Sequence, residues 1–216
     1  MRIGILGGTF NPIHNCHLAI ADETLKKASL DLILFIPSGN PPHKEETDII
    51  EPKDRHEMVL LATKEDPRFK VLDLEVSRPG KSYSVETIRE VKSIYEEENE
   101  LFFIVGIDAF LEISTWKDAE LLLSLCNFLV ISRPGFSFSD ISKVPFLKRI
   151  IGRREEVSGN IRMSIVPNYS ISFVEVSPCL ISSTEIRERL RKGRPVTGLL
   201  PRSVESYIME KQLYWR

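Results

Sequence analysis

The sequence predicts an α/β fold, a doubly wound and mainly parallel sheet, on three observations. Apolar runs too short for helices recur at residues 3–6, 32–36, 71–76, 101–105, 128–131, 161–166 and 173–176. Several are continuous rather than alternating, the pattern of strands covered on both faces. Stretches with helical spacing lie between them, which gives βαβ units with right-handed crossovers. Ligands of such folds bind at the carboxyl ends of the strands, and the loops after these runs hold Gly7, Gly8, His14, His17, His43, Lys44, Gly106, Asp108 and Arg133.

The first run, with Ile3, Ile5 and Leu6, leads into Gly7-Gly8-Thr9-Phe10-Asn11-Pro12-Ile13-His14-Asn15-Cys16-His17. Gly7 and Gly8 read as a turn whose N–H groups approach a ligand with no Cβ in the way. A helix starting near His17, spaced by Leu18, Ala21, Leu25 and Ala28, aims its unsatisfied N–H groups and positive dipole end at the same place. Strand, glycine turn and helix N-terminus together make a phosphate site. After the run at 32–36, two prolines stiffen the loop at 37–44 and hold out His43 and Lys44 as donors. Helices follow at 54–65, through Met58, Leu61 and Ala62, and at 85–95, through Val85, Ile88, Val91 and Ile94.

The run at 101–105 exits into Gly106-Ile107-Asp108-Ala109-Phe110, with Trp116 beyond, and the run at 128–131 into Ser132-Arg133-Pro134-Gly135. From 136 to 160 the pattern loosens around a basic cluster, Lys148, Arg149, Arg153 and Arg154. It reads as a solvated surface excursion with one short helix at 141–149, a partner or homo-oligomer surface being the alternative. The chain returns to Ile181-Ser182-Ser183-Thr184-Glu185-Ile186-Arg187, where Ser182 or Ser183 caps a helix over 184–192 that Gly193 ends. Pro201 opens a last helix with Val204, Tyr207 and Ile208 on one side. With no linker or internal repeat, residues 1–216 read as one domain, its C-terminal helices lying at about 183–212.

Composition sets the outer limits. Hydrophobic residues at 42% supply a core, and a net charge of −2 argues against a general electrostatic grip on nucleic acid. No apolar stretch approaches the roughly 18 residues a membrane helix needs, and the N-terminus lacks the layout of a signal peptide. Cys16, Cys126 and Cys179 are odd in number and scattered, so neither a disulfide framework nor a paired-cysteine zinc site is expected. The expected compartment is the cytoplasm.

Bland readings compete with each candidate. His14 and His17 read as hydrogen-bonded buried histidines, as part of a metal site that lacks further ligands nearby, or as donors to a phosphate. Residues 182–187 alone are an ordinary capped helix; beside a first phosphate site, their hydroxyls and Arg187 can hold further phosphates. Trp116 reads equally as a core anchor, and His43, Lys44 and Arg133 as solvated residues. Neither G-x-x-x-x-G-K-[ST] nor G-x-G-x-x-G is present, so the phosphate site is of another kind.

The stretch from Gly7 to Leu18 resembles the H-x-G-H signature of the nucleotidylyltransferase superfamily, and Ile181 to Arg187 resembles its second signature, I-S-S-T-x-I-R. Pro41-Pro42-His43-Lys44, Arg78 through Ser84 to Thr87, Gly106-Ile107-Asp108 with Trp116, and the closing Leu200 to Tyr214 are similar to bacterial nicotinate-nucleotide adenylyltransferases. The resemblance implies a Rossmann-like nucleotidylyltransferase fold. It implies adenylyl transfer from ATP to nicotinate mononucleotide, giving nicotinate adenine dinucleotide and pyrophosphate in NAD biosynthesis. Gly7, Gly8, Thr9, Phe10, His14 and His17 then meet ATP, and Ser182, Ser183, Thr184 and Arg187 close over it. Gly106 and Asp108 lie on the adenosine side. His43, Lys44, Tyr83, Ser84, Trp116 and Arg133 serve the nicotinate nucleotide, with the indole stacked on the pyridine ring. His14, His17, Lys44 and Arg187 are the implied catalytic set.

The mononucleotide's phosphate is already a nucleophile near neutral pH, so positioning and charge stabilisation suffice, with no base or covalent intermediate. Mg2+ bridging phosphate oxygens needs no direct protein ligand, Asp108 being the candidate for an indirect one. Nicotinamide mononucleotide and phosphopantetheine are the rival acceptors, and a catalytically weakened nucleotide-binding regulator is the rival class. The motive for the last is Cys16, which stands where the signature has glycine and, at a helix N-terminus, is expected to be an acidic, oxidation-sensitive thiol.

Overall fold

A computed structural model describes residues 1–41, 49–95, 98–157, 160–165 and 169–215. Its elements run β1 (Arg2–Gly8), α1 (Asn15–Lys27), β2 (Leu32–Pro37), α2 (Pro52–Thr63), β3 (Phe69–Val71), α3 (Ser84–Ile94), β4 (Glu100–Gly106), α4 (Ile107–Leu111), α5 (Ala119–Leu123), β5 (Asn127–Ile131), α6 (Pro145–Ile150), β6 (Ile151–Val157), β7 (Asn160–Ile165), β8 (Tyr169–Val174), α7 (Ser183–Arg191) and α8 (Arg202–Glu210). They form two compact units: Met1–Leu6, Glu23–Leu32 and Tyr83–Pro178 in the first, and Gly7–Asp22, Ile33–Ser82 and Cys179–Arg216 in the second.

In the first unit, β1, β4, β5 and β8 pair in parallel, with Ile3 opposite Leu101, Phe103 opposite Phe128 and Val130 opposite Phe173. These strands are buried almost without interruption, which is why they read as continuous apolar runs. The sheet continues antiparallel through β7 to β6. That hairpin corrects the reading of 136–160 as a solvated excursion with one helix: the segment contains a 3-10 turn at Phe138–Lys143, then α6 and β6. In the second unit, β2 pairs in parallel with β3, and α2 packs against α8, where the Tyr207 hydroxyl donates to Asp54 at 2.8 Å. The strand expected at 71–76 lies instead at Phe69–Val71. Among the described residues, no helix is long and apolar enough to cross a membrane.

Candidate active site

The second unit holds both halves of the expected phosphate clamp. Gly7 and Gly8 do not form a turn; they are the last residues of β1, and the chain turns at Asn11 and Pro12. Gly8 has its own reason to lack a side chain, since a Cβ there would sit 2.9 Å from the ring of Phe10. Phe10 takes a φ of 47°, and its buried ring packs edge-on against His17 at 5.1 Å. The helix begins at Asn15, earlier than expected, so His17 lies in its first turn and His14 just before it. The two imidazoles stack at 3.8 Å. The backbone N–H of His14 donates to Nδ1 of His17 at 3.2 Å. With Nδ1 accepting, a neutral His17 carries its proton on Nε2 and offers one N–H donor. His14 is buried and His17 half-buried.

The second motif closes directly on this loop. Ser182 caps α7 by accepting from the Glu185 N–H at 3.1 Å, as the sequence predicts, and Gly193 follows the helix at a φ of 61°. Ser183 Oγ donates to the Pro12 carbonyl and Arg187 Nη1 to the Asn11 carbonyl, both at 2.9 Å. The second terminal nitrogen of the guanidinium, Nη2, donates to Thr184 Oγ1 at 3.4 Å. The Asn11 side chain is a hub as well, its Oδ1 accepting from the Tyr214 hydroxyl at 2.9 Å. The clamp is therefore one hydrogen-bonded body made of residues 8–17 and 182–187.

One residue beneath it was not foreseen. Arg55, in α2, is fully buried and its guanidinium donates only to carbonyls: Thr9 at 2.8 Å, Gly39 at 2.7 Å, Ile50 at 3.1 Å, and Ser38. Burial lowers its pKa from the ordinary arginine value, yet a guanidinium stays charged. This single cation holds the loop after β1 and the loop after β2 together. A charged residue on a helix face normally reads as solvated, so nothing in the pattern marked it.

The first unit gathers the other candidates. Gly106 ends β4 and caps α4. A Cβ on Gly106 would collide with the Asp108 carboxylate and stand 2.9 Å from Arg133 Nε. Asp108 and Arg133 form a loose, partly exposed ion pair at 3.9 Å, so this pair, predicted from separate loops, does meet. Trp116 is half-buried with its ring edge-on to Phe103 at 6.2 Å. Tyr83 and Ser84 stand at the start of α3. Lys117, also unforeseen, lies 4.4 Å above the Tyr83 ring and bonds Glu86 at 2.6 Å; the Glu86 carboxylate raises its pKa. His43 and Lys44 fall outside the described residues.

Residues 5–189 match the cytidylyltransferase-like family, a span that includes both clamp motifs. The chain is 42% identical to a probable nicotinate-nucleotide adenylyltransferase of Thermoanaerobacter sp. (strain X514), over 99% of this chain and 94% of that protein. It is also 42% identical to one of Geobacter sulfurreducens, over 99% and 98%. The chain belongs to the nicotinate-nucleotide adenylyltransferase family. The Plasmodium falciparum nicotinic acid mononucleotide adenylyltransferase complexed with NaAD shares its fold, with a TM-score of 0.72 at 20% identity over 99% of this chain and 97% of that one. The doubly wound, mainly parallel α/β class expected from the sequence is thereby the fold of the chain.

Against this adenylyltransferase background, the cysteines require a correction. Cys16 is not a free thiol: it forms a disulfide with Cys179, the Cα atoms 5.8 Å apart across 163 residues of sequence. The expected scatter of single cysteines failed because sequence separation says nothing of distance once α1 and the approach to α7 fold together. Cys126 alone is free, and burial pushes its pKa up to about 12.

Proposed function

We propose that this adenylyltransferase joins ATP to nicotinate mononucleotide, releasing pyrophosphate and forming nicotinate adenine dinucleotide. The observation that carries the reading is the closure of 182–187 on 8–17, which gathers His17, Arg187 and two helix N-termini in one clamp. Such donors match charge that builds on the α-phosphate and the departing pyrophosphate. Phosphate already present on the acceptor attacks in line, so orientation is the protein's main task. Gly106 and Asp108 are assigned to the adenosine side of ATP, Arg133 to phosphate of the nicotinate nucleotide, and Tyr83, Ser84 and Trp116 to the nicotinate ring. His43 and Lys44 are assigned to the acceptor by motif.

Mg2+ is assigned as the companion of ATP, its chemistry being neutralisation of phosphate charge. The residues suit a metal carried by the substrate: hard oxygen donors on phosphate serve it with few protein ligands, and Asp108 is half-exposed and able to accept from its water shell. The one family match, over residues 5–189, runs through parts of both units, which supports treating 1–216 as a single functional domain. An ATP-consuming synthesis makes the cytoplasm the expected compartment.

The test is pyrophosphate release with ATP, Mg2+ and a panel of mononucleotides. Release is expected with nicotinate mononucleotide and at least about tenfold less efficiently with the amide, which lacks the carboxylate for charge-assisted bonds. Preference for the amide would overturn the assigned specificity, and no release with any acceptor would overturn the activity. Trp116→Ala is expected to raise KM for nicotinate mononucleotide about tenfold, the size of a lost aromatic stack. Its KM for ATP should stay near normal; an unchanged mononucleotide KM would remove Trp116 from the pocket.

A further inference from the structure

The disulfide joins the first signature motif, at Cys16, to the approach to the second, at Cys179. Cys16 occupies the first turn of α1 between His14 and His17, and is 2% exposed. Cys179 lies three residues before the Ser182 cap of α7, in an exposed run from Ser177 to Leu180. Ties across the clamp also include hydrogen bonds from Ser183 to Pro12 and from Arg187 to Asn11, which water can replace. In a reducing compartment a disulfide is characteristically transient and redox-sensing rather than structural.

We propose that Cys16 and Cys179 form a redox-modification site, exchanging with small thiols and disulfides, and that its state sets the clamp's grip on nucleotide phosphate. The second half rests on reading the clamp as the ATP phosphate site. Exposure orders the exchange. The Cys179 thiolate attacks a small disulfide such as oxidised glutathione, forming a mixed disulfide and releasing one small thiol. Cys16, held 5.8 Å from Cys179 between Cα atoms, then attacks Cys179 Sγ, forming the protein S–S bond and releasing the second small thiol. Two electrons pass from the cysteines to the small disulfide, and the two protons the cysteines lose end on the released thiols. Reduction is the reverse, beginning with attack of a small thiolate on exposed Cys179. In the oxidised form the approach to α7 is fixed to the first turn of α1, so less of the clamp remains to be ordered when ATP binds.

The full chain is equilibrated in glutathione buffers from reducing to oxidising, quenched, denatured and alkylated. Mass should shift from three labelled cysteines to one, with Cys126 as the remaining thiol. Titration of each form with ATP and Mg2+, without acceptor, should show the oxidised form binding on the order of fivefold more tightly, as a pre-organised site does. Cys179→Ser should give one ATP affinity in both buffers, equal to the reduced wild type. Three labels throughout would overturn the modification site. One label with equal ATP affinities would make the bond purely structural and overturn its control of the clamp. Absence of ATP binding in either form would instead overturn the phosphate reading, while the label count still judges the disulfide by itself.

Discussion

Replacing His17 with alanine is expected to lower kcat by about a hundredfold or more, the usual loss when a donor to transition-state charge is removed. The expectation comes from the way the ring is held. Its Nδ1 is occupied by the His14 N–H, its edge meets Phe10 and its face stacks on His14. Only one orientation satisfies all three contacts, and it fixes Nε2–H as a donor. Because that donor serves charge that appears during reaction, KM for ATP should change far less than kcat. Steady-state pyrophosphate release, with thermal unfolding to confirm an intact fold, checks this. A near-normal kcat would strike His17 from the catalytic set.

Arg55→Met is expected to destabilise the protein by about 3–5 kcal/mol, the cost of stripping one side from a buried charged network. Methionine fills much of the volume but donates nothing, so the carbonyls of Thr9, Ser38, Gly39 and Ile50, one buried contact and three part-buried ones, lose their shared donor. Against a typical total stability of about 5–15 kcal/mol, such a loss is large. Arg55→Lys should fall between, since an ammonium keeps the charge but cannot span carbonyls from three separate segments. Urea unfolding of the three proteins measures this. A shift below about 1 kcal/mol for the methionine variant would mean that the loops after β1 and β2 hold themselves.

The two clamp motifs were legible because they combine local signals: an apolar strand, glycines, a helix start, and a serine cap with glycine after the helix. Asp108 and Arg133 were legible as strand-exit residues, although their meeting was not. Features that depend on distant partners escaped. Arg55 looks like any charged helical residue until the carbonyls around it are known. Cys16 and Cys179 look like strays until the fold brings them together. The β6 segment, Ile-Gly-Arg-Arg-Glu-Glu-Val, has neither a continuous apolar run nor clean alternation, so a period-based reading passes over it. The run at 71–76 is interrupted by Asp73 and Glu75, and the chain uses its start, with Phe69, for the short β3 strand.

The hydrogen bond from Tyr214 to Asn11 spans 203 residues, and it bears on biosynthesis. The chain leaves the ribosome N-terminus first, and domains fold as their residues emerge. Asn11, Pro12 and the two histidines are made long before Ser183, Arg187 and Tyr214, which fasten them. During translation the loop after β1 must therefore wait, unfastened, across the separation of 171 residues between Pro12 and Ser183. A nascent chain stalled before α7 would carry every strand of the first unit yet have no fastened clamp. A chain cut short before α7 thus lacks the hydrogen bonds from Ser183 and Arg187 that fasten this loop.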